Sequence, residues 1–142
     1  MISIMQAAHY LVYLSYHNNQ YSLTPLKLQK LLYIAQGWSY VWDGHELFSD
    51  QFEAWQYGPV NLDVYHYFKK YGRNEIPEKE GLPSIRNIEA EETLNSIWFQ
   101  FGSWNAFQLV EYTHAQTPWV KAYTTDGVIK NTDIQKYYQS KY

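Results

Sequence analysis

The chain has 142 residues, 46% of them hydrophobic and 18% charged, and this length and composition predict one globular domain over residues 1–142. Its net charge of −3 at pH 7 disfavours nucleic acid as a partner, because binding to phosphates normally needs a basic surface. The absence of cysteine excludes disulfides, thiolate metal ligands and cysteine nucleophiles, and no stretch reaches the roughly 20 apolar residues of a membrane span. We therefore expect a soluble, cytoplasmic protein that contacts no membrane.

The first predicted helix runs from Ser3 to about residue 18 and opens with a capping-box pattern, Ser3 followed by Gln6. One side of this helix is apolar, and the opposite side carries ring-bearing residues without a formal charge: His9, Tyr10, Tyr13, Tyr16 and His17. Tyrosine-rich surfaces with few charges are typical of protein interfaces. We hypothesise that these five residues bind a protein partner, with contact to another part of the same domain as the open alternative.

The second predicted helix begins at Thr24-Pro25, where Thr24 is a good N-cap and proline is favoured at the first helical position. Gly37 lies inside this helix at a cost of roughly 1 kcal/mol relative to alanine, which indicates close packing against a neighbouring element. Lys30 and Gln36 lie off the apolar stripe of the helix. They are available for hydrogen bonds within the domain or to a partner, and we include them in the hypothetical partner-binding set.

Two short strands are predicted at residues 47–48 and 52–55, as a small hairpin. We expect a third helix to start at Gly58-Pro59 and to stop at Gly72. Residues 73–89 contain two prolines, one glycine and most of the local charge, so they are predicted to form an irregular excursion.

Further helices are predicted after the excursion: residues 90–101, a helix capped by Ser103 with Phe107 and Val110 facing inward, a short helix from Thr117-Pro118, and a C-terminal helix at about 132–140. The core of the domain is expected within residues 3–123. The predicted fold is mainly α, a single compact domain of about six to seven helices with a small β-hairpin inserted between the second and third helices.

The search for catalytic chemistry finds no P-loop, no G-x-S-x-G and no H-E-x-x-H motif. Two acid-x-x-His pairs occur on predicted helices, Asp63 with His66 and Glu111 with His114, and two further carboxylates would complete a di-iron site. The first helix has no carboxylate to offer, so we expect no catalytic residue, no metal and no cofactor. A metal-dependent or hydrolytic enzyme that uses these four residues is kept as the alternative, and a nucleic-acid-binding regulator ranks behind it.

Three segments together resemble the Panacea domain, the SocA-like antitoxin family of bacteria and their phages: "LTPLKLQKLLYIAQGW" (23–38), "FEAWQYGPV" (52–60) and "LVEYTHAQTPW" (109–119). The resemblance implies a mainly helical, non-enzymatic domain that neutralises a toxin encoded beside it, either by direct binding or, as in at least one related type, by delivering the toxin to a protease. It therefore implies a protein partner, namely a toxin encoded by a neighbouring gene; a protease and a second copy of the chain are further partners that stay open.

The resemblance also marks a set of motif residues. They are Lys27, Gln29, Lys30, Tyr33, Gln36 and Gly37 in the first segment, Glu53, Trp55, Gly58, Pro59 and Val60 in the second, and Thr113, His114, Pro118 and Trp119 in the third. Apart from Lys30 and Gln36, we interpret these residues as scaffold. His114 lies where one predicted helix ends and the next begins, so we expect its imidazole to bond backbone carbonyls there.

Overall fold

The computed structural model describes residues 1–79, 81, 83 and 85–142. The helices of this part are α1 (Ile4–His17), α2 (Pro25–Trp42), α3 (Leu62–Phe68), α4 (Ile88–Phe101), α5 (Ala106–His114), α6 (Thr117–Tyr123) and α7 (Asn131–Lys141), with a 3₁₀ turn at Lys69–Tyr71. The strands are β1 (Phe52–Trp55), β2 (Gly58–Val60) and β3 (Val128–Ile129). The prediction of a mainly α fold, with a hairpin between the second and third helices, is confirmed.

Helix α2 lies at the centre of the domain. It contacts α1, α3, α4, α5, α7 and strand β2. Every residue from Lys27 to Gly37 is buried, including the polar ones. A helix that is buried all round must satisfy its polar side chains inside the protein, and this requirement determines how the loops are held.

The small sheet has the strand order β2-β1-β3, and both pairings are antiparallel. Glu53 pairs with Val60, and Phe52 pairs with Ile129. The predicted strand at 47–48 is wrong, because these residues lie in a loop before β1 and the hairpin partner of β1 is β2. Strand β3 has only two residues and left no recognisable pattern in the sequence.

The predicted start of the third helix is also wrong. Pro59 lies in β2, an edge strand, where its missing N–H is tolerated. Helix α3 begins three residues later, where the side chain of Asn61 accepts a hydrogen bond from the backbone N–H of Val64 at 3.0 Å. Gly58 has a φ of +106°, which permits the sharp turn between β1 and β2.

Most other helix starts follow local capping chemistry. The capping box of Ser3 and Gln6 is present, and Thr24 caps α2. Helix α6 starts at Thr117-Pro118 as predicted, but its N-cap is Gln116 and no side chain makes a capping hydrogen bond. The fifth helix is capped by Asn105, so the prediction of Ser103 is wrong. Phe107 was expected to face inward but is 70% exposed, because the buried face of α5 is formed by Leu109, Val110 and Thr113.

The predicted excursion has neither helix nor strand among its described residues before α4 begins at Ile88, while Glu80, Leu82 and Ser84 lie outside the described residues. Ile76 and Ile85 anchor this segment in the core, and the backbone N–H of Ile76 donates to the carbonyl of Leu23 at 2.9 Å. The core also extends past the predicted limit of residue 123, because Ile129, Ile134 and Tyr138 are fully buried. None of the described helices is long and apolar enough to cross a membrane.

Candidate partner-binding surfaces

Lys30 and Gln36 serve the interior of the domain. The amide oxygen of Gln36 accepts from the backbone N–H groups of Leu47 (2.8 Å) and Phe48 (3.3 Å), and its Nε2 donates to the Phe48 carbonyl at 2.8 Å. Lys30 donates from Nζ to the carbonyl of Pro59 at 2.7 Å. Both side chains are fully buried, so their assignment to a partner-binding set is corrected: they hold the loop before β1 and strand β2 against α2.

Other polar side chains of α2 act in the same way. Gln29 and Asn61 form a reciprocal pair: Gln29 Nε2 donates to the Asn61 carbonyl at 3.0 Å, and Gln29 Oε1 accepts from the Asn61 backbone N–H at 2.9 Å. Lys27 Nζ donates to the carbonyls of Ser22 and Gly102. Burial lowers the pKa of Lys30 to about 7 and that of Lys27 to about 8. The polar motif residues of α2 are therefore buried side chains that hold the connecting segments by hydrogen bonds.

Two motif glycines lie where a side chain would collide with a neighbour. A Cβ atom at Gly37 would lie 2.4 Å from the ring of Tyr138 on α7. A Cβ atom at Gly58 would lie 2.7 Å from Cε of Lys30 and 3.0 Å from Oγ1 of Thr113. The expected close packing at Gly37 is thus present. Tyr33 is also fully buried, with its ring edge-on to those of Phe52 and Tyr138.

The remaining motif residues connect the hairpin to α5 and α6. Trp119 donates from Nε1 to the carbonyl of Trp55 at 2.9 Å, and Trp55 donates from Nε1 to Oε1 of Glu53 at 2.9 Å. The ring of His114 stacks on that of Trp119 with 4.0 Å between centroids. The expected bond from His114 to a carbonyl is not found for Nε2, which is buried without a hydrogen-bond partner among the described residues. Pro118 and Val60 are buried.

The uncharged face of α1 is largely used inside the domain. Tyr10 is buried and donates from its hydroxyl to Oδ1 of Asn95 at 2.7 Å. Tyr16 donates to the carbonyl of Ile76 at 2.6 Å, so it holds the irregular segment after α3. The ring of His9 contacts that of Tyr67 edge-on, with 5.2 Å between centroids.

His9, Tyr13 and Tyr16 are half-buried, and His17 is exposed. Tyr13 and His17 are neighbours on this face. Their rings stack with 4.6 Å between centroids, and His17 Nε2 lies 2.5 Å from Oε1 of Glu78. Together with Met5 and Lys79, they line a cavity of about 270 Å³, the α1 pocket. Burial and the nearby Lys79 charge lower the pKa of His9, which also lines this pocket. Three of the five predicted residues, His9, Tyr13 and His17, therefore line this pocket.

The residues of the enzyme alternative lie apart along the fold. Asp63 and His66 are exposed on α3, whereas Glu111 is exposed and His114 half-buried on α5. In the part of the chain that the structure describes, no group of three His, Asp or Glu side chains could hold a metal ion.

A second surface was missed from the sequence. A cavity of about 490 Å³, the hairpin groove, lies between the start of α2, the β1–β2 turn and α3, and its lining includes Leu26, Trp55, Tyr57, Tyr65 and Lys69. The exposed fraction is 60% for Tyr57, 38% for Tyr65 and 37% for Leu26. The crowded aromatics of residues 52–60 were the available signal. A helix was expected where the structure has strand β2, whose residue Val60 lines the groove.

The family profile described as "Antitoxin SocA-like, Panacea domain" matches residues 28–120, from α2 to α6. The chain belongs to this family. Antitoxin SocA of Caulobacter vibrioides (strain NA1000 / CB15N) is 35% identical over an alignment of 109 residues, and the match covers 68% of this chain and 58% of that protein. The chain therefore spans little more than half the length of this curated relative. No solved structure matches the chain.

The region matched by the Panacea profile contains most of the features described above. It includes Lys30, Gln36 and the hairpin, and it covers nearly all of the residues that line the hairpin groove. Helix α1 and helix α7 lie outside the matched residues. Most of the lining of the α1 pocket comes from α1 and therefore lies outside the matched region.

Proposed function

We propose that this chain is an antitoxin that neutralises a toxin protein by binding it, without a catalytic step of its own. The observation that carries this proposal is membership of the SocA-like antitoxin family, over residues 28–120. The relative named Antitoxin SocA points in the same direction. The exposed aromatic residues of the hairpin groove supply the kind of surface that protein partners bind.

Binding neutralises the toxin in one of two ways. A complex that covers the working surface of the toxin blocks it, whereas delivery to a protease removes it. The two mechanisms predict different toxin levels: blocking leaves the toxin at its original abundance, and delivery lowers it in cells that contain the protease.

Co-expression with the protein encoded by the adjacent gene tests the proposal. Induction of that protein alone should arrest growth, and co-expression of this chain should restore growth and retain the toxin during purification. An immunoblot for the toxin, in wild-type and protease-deficient cells, separates blocking from delivery. If the neighbouring protein arrests growth and this chain neither restores growth nor binds it, the proposed pairing is wrong.

A further inference from the structure

The hairpin groove combines a cavity with large apolar side chains that remain in contact with solvent. Its volume of about 490 Å³ lies within the roughly 300–1,000 Å³ of ordinary ligand clefts. Tyr57 at the tip of the hairpin is 60% exposed. Its hydroxyl makes no hydrogen bond to another described residue, so both the ring and the hydroxyl are free for a partner.

The aromatic wall of the groove is fixed before any partner arrives. Trp55 is held at both ends, since its Nε1 donates to Glu53 and its carbonyl accepts from Nε1 of Trp119. The ring of Tyr65 stands edge-on to that of Trp55, with 4.9 Å between centroids. Because these side chains are already ordered, the entropic cost of binding is lower, which favours them as anchors for a partner.

The charge at the groove is opposite in sign to that of the whole chain. The groove is lined by the cation Lys69, and Lys70 and Arg73 follow it in the sequence, although the chain carries a net charge of −3. None of these three cations forms an ion pair within the described residues. Nζ of Lys70 lies over the rings of Tyr67 and Tyr71, at 5.5 Å and 5.2 Å from their centroids, so Lys69 is the cation that lines the groove. No Asp or Glu is among the described residues that line the groove, and the nearby carboxylate of Glu53 accepts the Trp55 bond.

We propose that the hairpin groove binds an apolar segment of the toxin in which aliphatic or aromatic side chains lie next to carboxylates. The apolar side chains fill the space between Leu26, Trp55 and Tyr57, and the carboxylates meet Lys69 at the rim. This inference rests on the proposed antitoxin function, because it specifies the chemistry of the partner. Lys69 lines the apolar cleft and forms no ion pair with a described residue, so charge complementarity favours an acidic segment.

A selection of phage-displayed random 16-residue peptides on the folded chain tests this chemistry directly. We expect enriched peptides to combine aromatic or aliphatic residues with Asp or Glu. Tyr57→Ser should weaken their binding by at least about tenfold, as expected for loss of an aromatic anchor. Lys69→Glu should also weaken binding and should reverse its salt dependence.

Matched controls separate the groove from general effects on the surface. Phe107→Ser removes an aromatic residue that is 70% exposed on α5, and Lys136→Glu reverses an exposed charge on α7. Neither control should change peptide binding, and thermal unfolding should show that all four variants are folded. Absence of enrichment, enrichment of basic or uncharged peptides, or equal binding by Tyr57→Ser overturns the inference.

Two further measurements distinguish this inference from the proposed function. If Tyr57→Ser and Lys69→Glu restore growth against the toxin as well as the wild type does, the groove inference fails and the antitoxin proposal stands. If the wild type fails to restore growth while acidic peptides still bind the groove, the proposed function fails and the chemistry of the groove stands. A dimer in sedimentation that Tyr57→Ser dissociates means that a second copy fills the groove, which overturns the inference.

Discussion

Gly37 of α2 lies directly against the ring of Tyr138 of α7, so close that a Cβ atom at position 37 would be 2.4 Å from ring atoms Cε1 and Cζ. The Gly37→Ala substitution should improve helix propensity by roughly 1 kcal/mol. The overlap with a fully buried ring should outweigh this gain, and we expect a net loss of about 2 kcal/mol in the free energy of unfolding, measured in urea.

The Tyr138→Val background provides the control for this prediction, because it removes the ring that alanine would strike. In a double-mutant cycle, Gly37→Ala should cost little or even stabilise the Tyr138→Val protein. An equal cost in both backgrounds would show that the contact with Tyr138 is not the cause.

Gln36 is predicted to stabilise the folded domain through its hydrogen bonds to the loop before β1. The Gln36→Leu substitution keeps a similar volume but leaves the N–H groups of Leu47 and Phe48 and one carbonyl without their partner. Because unpaired buried groups cost on the order of 1–3 kcal/mol each, we expect the free energy of unfolding to fall by about 2–4 kcal/mol. Gln100→Leu, on the exposed side of α4, is the matched control and should change it by less than about 0.5 kcal/mol.

Lys30 is predicted to make stability depend on pH. Burial lowers its pKa in the folded protein to about 7, against 10.5 for the exposed side chain. Between these values the unfolded chain binds more protons than the folded one, so the free energy of unfolding rises with pH across this window and is flat below it. The upper limit of this rise is about 1.4 kcal/mol per pH unit.

Comparison with Lys30→Met isolates this contribution, because Lys27 titrates in both proteins. Urea unfolding between pH 6 and pH 9 should show the wild type gaining stability relative to the variant as the pH rises above about 7. A difference that is constant over this range would mean that Lys30 stays charged in the folded state.

Tyr16 is predicted to control the attachment of the irregular segment after α3. The Tyr16→Phe substitution removes the hydroxyl that donates to the Ile76 carbonyl, at a cost of about 1 kcal/mol. We expect faster hydrogen exchange at the backbone N–H of Ile76, which bonds to Leu23, with no change at the centre of α2. Tyr13→Phe is the control, because the hydroxyl of Tyr13 makes no hydrogen bond to a described residue.

The features that were predicted correctly depend on neighbours in the sequence. The helix starts at Ser3 and Thr24 follow from N-cap side chains, and the start of α6 follows from Pro118 in its first turn. Pro59 misled the prediction because proline suits an edge strand as well as the first turn of a helix. That one ambiguity concealed strand β2 and with it the hairpin groove.

Whether a candidate site residue is buried or accessible depends on contacts between distant parts of the chain. The face of α1 was recognised as unusual for a solvent-facing surface because it lacks charge. Part of this face contacts the segment after α3, because Tyr16 donates to the carbonyl of Ile76, which lies 60 residues later. No local pattern in the sequence indicates that contact. Likewise, the carbonyl that accepts from Lys30 belongs to Pro59, which lies 29 residues away.

The buried polar side chains of α2 form hydrogen bonds with main-chain atoms of the connecting segments, not with their side chains. Ser39 donates to the carbonyl of His45 and Lys27 to that of Ser22, and any residue at positions 45 or 22 offers the same carbonyl. Replacement of the loop side chains therefore leaves these attachments intact. The domain can therefore keep its shape while the side chains of its outer loops change.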